Sequence, residues 1–150
     1  MLDSKKSSAL LALGALVLGQ LSATAAERVG DFAMLDTAGE FHQLSRYGDK
    51  EALVLMAYDG GCAASQAQLA ELHALEARWQ EKGVAFAAIN AAKQSPGAEA
   101  PAAAVWLDDG QVVSRTLGLT RAGDVAVLDP ARLSTLYVGG MLGLDAALDA

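Results

Sequence analysis

The 150-residue chain contains one cysteine, Cys62, and its neighbours give that thiol a particular setting. An apolar run from Ala52 to Tyr58 breaks at Asp59-Gly60-Gly61, and a helical pattern opens at Cys62-Ala63-Ala64-Ser65. A thiol at a strand-to-helix junction feels the partial positive charge of the helix N-terminus, which favours thiolate over thiol. Thiol chemistry also needs an approach path and a means of completion. Gly60 and Gly61 leave the approach uncluttered. Ser65, one turn on, is placed to donate a hydroxyl hydrogen bond to the sulfur, although a plain first-turn serine is the simpler use of that residue. Completion is missing from the chain, because a mixed disulfide at a lone cysteine must be resolved by another thiol. The competing reading is a buried, inert thiol acting as a small hydrophobe.

Other chemistry-bearing residues form weaker patterns. His42 and His73, the two histidines, have no metal-ligand spacing with each other or with Cys62, and His73 with Glu76 supplies too few ligands, so no metal and no other cofactor is expected. Both histidines read as partly exposed polar residues. His73 lies about 16 Å of helical rise beyond Cys62, too far for a catalytic pair. Gly139-Gly140-x-x-Gly143 lacks a phosphate-loop lysine and any dinucleotide context and reads as a flexible tail. No Gly-x-Ser-x-Gly elbow occurs. Trp79 and Trp106 read as packing residues.

The elements that must position Cys62 follow from periodicity. Ala52 to Tyr58 is apolar at nearly every position, the mark of a strand covered on both faces. After Cys62 the period changes, with Leu69, Leu72, Leu75 and Trp79 on one stripe and Gln68, Glu71, Arg78, Glu81 and Lys82 elsewhere. Gly83 stands where a left-handed helix terminus is wanted, and Val84 to Asn90 is a second buried strand. Ala52 to Asn90 is therefore a strand-helix-strand unit with a parallel sheet and a right-handed crossover. Before it, Val29 to Asp36 and Phe41 to Leu44 make a short hairpin, followed by a single turn through Tyr47 that Ser45 caps. After it come a loop over Ala91 to Pro101, a short edge strand over Ala102 to Leu107, a turn at Asp108-Asp109-Gly110 and a helix over Gln111 to Leu117 ended by Gly118. Val125 to Leu128 and Leu136 to Val138 form a last hairpin around Asp129-Pro130, and Leu144 to Leu148 begins a helix.

The first 25 residues read as a cleavable signal peptide: Lys5 and Lys6, an apolar segment from Ala9 to Gly19, and Ala23-Thr24-Ala25 as the cleavage site. That apolar run is about half of the ~20 residues a membrane span needs, so no stable membrane anchor is expected. No cysteine near the cut offers a lipid attachment point. The expected setting is periplasmic or secreted, with residues 26–150 as one domain. The chain carries 11 basic and 18 acidic residues, net charge −7. Loss of Asp3, Lys5 and Lys6 makes the balance one unit more negative, which disfavours nucleic acid as a partner. An exported chain with one cysteine has no internal disulfide, so its stability must come from the core.

The order of elements and the residues together resemble the thioredoxin-like redoxins, the group that holds the TlpA-like thiol–disulfide proteins and the alkyl hydroperoxide reductase/thiol-specific antioxidant proteins. The resemblance rests on Val29-Gly-Asp-Phe32 with Gly39-x-x-His42-x-Leu44-Ser45, Ala52 to Cys62, Leu69-Ala-Glu-Leu72, Lys82-Gly-Val-Ala-Phe86 with Ile89-Asn90, Leu117-Gly-Leu-Thr120, Val125-x-Val-Leu-Asp129-Pro130 and Tyr137-x-Gly139. It implies an α/β fold with a central mixed β-sheet flanked by helices, and a Cys-x-x-Ser site at Cys62 and Ser65. The chain departs from the pattern in three places: Ala63 and Ala70 stand where the family has prolines, Ala122-Gly123-Asp124 aligns with the loop that carries a cis-proline, and the stretch between Asn90 and Ala102 is short.

The resemblance implies a monothiol oxidoreductase acting on exported protein thiols and disulfides, or on small peroxides, with an external thiol reductant. Cys62 is the expected nucleophile, Arg121 its basic partner from a facing loop, and Asp59, Gly61 and Gly123 line the substrate approach. For peroxide reduction the family places Thr or Ser three residues before the cysteine. Here that position is Asp59, whose carboxylate repels a thiolate and a developing alkoxide; alternatively Asp59 simply starts the Gly-Gly turn. The other function class compatible with one cysteine and no cis-proline is a degenerate redoxin domain that binds a protein partner.

Overall fold

The computed structural model describes residues 26–90 and 104–150. The proposed signal segment, the Ala91 to Pro101 loop and the first two residues of the expected edge strand lie outside that range. Two apolar runs form the middle of the sheet. β3 (Ala52–Tyr58) is buried at every position, and β4 (Val84–Asn90) pairs with it in parallel, Ala52 opposite Val84 and Tyr58 opposite Asn90. Between them runs α1 (Ala63–Trp79), which buries Ser65, Leu69, Leu72, Leu75 and Trp79. Each large apolar side chain on that stripe contributes about 1.5–3 kcal/mol by leaving water, so packing rather than helix propensity holds α1 in place. A turn of 3-10 helix over Gln80–Lys82 follows, and Gly83, at φ +80, takes the left-handed conformation expected of it.

Among the described residues the sheet has the order β5-β4-β3-β6-β7, with β5 (Val105–Leu107), β6 (Asp124–Asp129) and β7 (Ser134–Gly140). β5 is parallel to β4, whereas β6 is antiparallel to β3 and β7 antiparallel to β6, making the sheet mixed. Side-chain alternation splits its core in two. Ala52, Val54, Met56 and Tyr58 face α1 and α3 (Leu144–Asp149). Leu53, Leu55 and Ala57 face the β1–β2 hairpin (Ala33–Leu35 and Phe41–Gln43), Leu44 and α2 (Val112–Thr116).

Two local expectations are corrected. Ser45 does not cap the turn at Leu44–Tyr47: its N–H and hydroxyl both donate to Asp31, at 2.8 Å each, because that carboxylate sits across the chain entry and reaches both donors at once. Gly139, Gly140 and Gly143 are not a flexible tail. The first two complete β7, and Tyr137 folds its ring over the strand end, its hydroxyl donating to Gly140 O at 3.0 Å. A Cβ at Gly139 or Gly143 would meet that hydroxyl at 2.4 Å, so these glycines are there to admit the tyrosine.

Candidate functional site

β3 is the middle strand of the sheet, and its C-terminal end delivers the chain to Cys62. Asp59 builds the turn between them. Its carboxylate accepts the Gly61 N–H at 2.9 Å, its carbonyl accepts the Cys62 N–H at 3.1 Å, and its own N–H donates to Ser65 Oγ at 2.9 Å. Cys62 is the residue flanking α1, with extended backbone angles (φ −112, ψ 118), and its carbonyl accepts from Ser65 and Gln66. Cys62 is a free cysteine and, as a residue, partly exposed, and among the described residues its sulfur has no hydrogen-bond partner. As a residue, Cys62 is therefore not fully buried.

Ser65 is fully buried and its hydroxyl oxygen is engaged by Asp59, which ties the first turn of α1 to the loop in front of it. Asp59 acts on the geometry of the turn through three hydrogen bonds. Gly61 is exposed. Gly123 donates its N–H to Ala57 O at 2.8 Å, so the loop carrying Arg121 is anchored to the end of β3, two residues before Asp59. Arg121 is exposed; its backbone N–H, like that of Thr120, is held by the Asp124 carboxylate. The described residues contain no cis peptide bond.

Gln68 lies beneath this loop. Gly123 has φ +90, and a Cβ there would lie 2.3 Å from Gln68 Nε2. Gln68 Oε1 is buried with no hydrogen-bond partner among the described residues. The amide therefore fills the space under the loop that ties Arg121 to the sheet. The helical pattern had put Gln68 on an outer face, and only the approach of the loop covers it.

A second cluster lies at the β4–β5 side of the molecule. The Asp36 carboxylate accepts N–H bonds from Ala38 and Glu40 and lies 2.7 Å from His42 Nε2. His42 Nδ1 is 2.8 Å from the Tyr47 hydroxyl, and the imidazole stacks on Trp106 with centroids 4.6 Å apart. Foremost through the His42 hydrogen bond, the Asp36 carboxyl is held below the usual carboxylate range, whereas burial and the nearby Asp36 and Glu40 charges push the Tyr47 phenol up. Spacing along the chain does not reveal this grouping, because the turn after β1 folds Asp36 back across the hairpin onto His42.

No family model matches the sequence, and neither does any curated protein. Solved structures do match. A putative thiol:disulfide interchange protein DsbE from Chlorobium tepidum superposes with a TM-score of 0.64 at 18% identity, covering 82% of this chain and 96% of that one. The fold is thioredoxin-like. The peroxidoxin BcpB from Mycobacterium tuberculosis shares this thioredoxin-like architecture at a TM-score of 0.65 and 18% identity over 83% of this chain and 93% of its own. So does the exposed lipoprotein thioredoxin of Streptococcus pneumoniae strain TIGR4, at 0.63 and 15% over 81% and 100%. In the thioredoxin-like frame Cys62 occupies the turn from a central strand into the helix that follows it.

Proposed function

We propose that the protein is an exported monothiol oxidoreductase that works through Cys62. The observation that carries this reading is the partly exposed Cys62, its sulfur unpartnered among the described residues, at the start of a 17-residue helix and on a turn that Asp59 and Ser65 hold from both sides. A positive helix end favours the anionic sulfur that attacks disulfides. In exchange, the Cys62 thiolate attacks one sulfur of a client disulfide, forming a mixed disulfide and expelling the other sulfur as a thiolate. An external thiol then attacks the mixed disulfide, leaving Cys62 reduced. The likeness to a putative thiol:disulfide interchange protein and to an exposed lipoprotein thioredoxin supports both the reaction class and an extracytoplasmic setting. The peroxidoxin supports peroxide reduction as a further substrate class, and Asp59 in place of a hydroxyl residue favours exchange over it.

Reaction of the purified mature chain with a disulfide probe tests this. Fast labelling of the native protein near neutral pH, abolished in Cys62→Ser and slowed several-fold in Arg121→Ala, is the expected result. A thiol that labels only after unfolding would instead leave a protein-binding domain of the same fold.

A further inference from the structure

Both histidines of the chain, thirty-one positions apart, open onto one cavity of about 230 Å³ that is distinct from the Cys62 turn. Its walls come from three separate parts of the fold. Asp36, Glu40, His42 and Tyr47 belong to the β1–β2 region, His73 and Glu76 to α1, and Phe86 and Trp106 to the edge where β5 covers only the second half of β4. Two imidazoles and three carboxylates therefore converge on one space. The ligand atoms of Asp36, Glu40 and His42 lie within 4.8 Å of one another.

We propose that this cavity binds a divalent transition-metal cation, with Asp36, Glu40 and His42 as its ligands. Imidazole nitrogen combined with carboxylate oxygen is a donor set that suits zinc and its first-row neighbours better than magnesium or calcium, which prefer oxygen alone. A single point within reach of Asp36 Oδ2 and His42 Nε2 is available where the two now share a proton at 2.7 Å. A cation there takes the place of that proton. The imidazole then carries its hydrogen on Nδ1 and donates it to the Tyr47 oxygen 2.8 Å away, the kind of outer partner that fixes a ligating ring. The side chain of Asp36 is 1% exposed and that of His42 16%, so two of the ligands are already ordered. Glu40 is exposed and closes from the rim. His73 and Glu76, 3.4 Å apart on the opposite wall, add a second imidazole and a further negative charge beside the bound cation.

Zinc titration of the full chain in a Cys62→Ser background, followed by calorimetry and by thermal melting, tests the site without interference from the thiol. Saturable binding at one equivalent and a zinc-dependent rise in melting temperature are expected, with affinity falling at least tenfold in Glu40→Gln and in His42→Gln. Glu40 is at the surface, so its variant separates loss of binding from loss of folding. Absence of saturable binding, or an affinity unchanged in Glu40→Gln and His42→Gln, would overturn the proposal. Neither result bears on exchange through Cys62, which is read in the unsubstituted chain.

Discussion

At Gly123, one missing Cβ decides whether the loop closes over α1. Its φ of +90 and its contact with Gln68 make two separate demands. A side chain at positive φ costs about 1–2 kcal/mol, and an added methyl must also displace the buried amide. Gly123→Ala should therefore lower the urea unfolding midpoint by an amount worth about 2–4 kcal/mol, and Gln68→Ala in the same chain should restore only the steric part. A Gly123→Ala chain as stable as the parent would show that the loop does not rest on Gln68. The Asp59-Gly60-Gly61 turn and the position of Cys62 at the start of α1 were legible at this scale, because both are set by residues a few places apart. Ser65 and Gln68 were less legible: the Ser65 hydroxyl turns to Asp59 rather than standing free, and Gln68 is covered by a loop more than fifty residues away.

Among the elements, α2 shows how a short helix is held by one side chain. It spans five residues, too few to be stable alone. The Asp108 carboxylate, buried against its start, accepts the N–H groups of Val112 and Ser114 at 3.0 and 2.8 Å and also the Ser114 hydroxyl. Asp108→Ala strands those donors and should cost about 2–3 kcal/mol, read as a lower melting temperature with the thiol still reactive. The same arithmetic explains why strands and helices were legible in the sequence and their margins were not. β3, α1 and β4 announce themselves by unbroken period, but the full length of β7 was hidden because Ser134 and Thr135 look like turn residues until Arg28 pairs with Ser134 and Thr135 donates its N–H to Glu27. The exposed edge of β5 is managed in the same way, with Thr37 and Val105 exchanging hydrogen bonds across it.

For the whole molecule, pH reports how the C-terminal helix is docked. Asp145 accepts hydrogen bonds from Trp79 Nε1 at 3.0 Å and Arg78 at 2.8 Å, and these, the tryptophan first, hold its carboxyl below the usual range. A carboxyl depressed in the folded state stabilises the fold above its unfolded value, near 3.9, and that contribution disappears as pH falls through the lower folded value. Asp145→Asn should thus be less stable than the parent at pH 7, by about 0.2–1 kcal/mol for so exposed a pair, and the two should converge as pH falls below the folded value of Asp145. A constant difference across that range would show that the charge of Asp145 is not what docks α3. The pairing of Asp145 with residues sixty-six and sixty-seven positions earlier lies beyond any local pattern, as does the meeting of His42 with Asp36 and Trp106; such contacts exist only once the layers close.

The order of the sheet bears on how long the thiol keeps its surroundings. Transient local opening in folded proteins begins at peripheral strands and termini and reaches the innermost ladder last. Here β5 and β7 take the periphery, while both ends of the cysteine's support, the Asp59 turn and the Ala57 to Gly123 hydrogen bond, are fastened to β3. A molecule that has momentarily lost its outer strands would still hold Cys62 in its native surroundings, so the capacity to react should outlast the integrity of the rim.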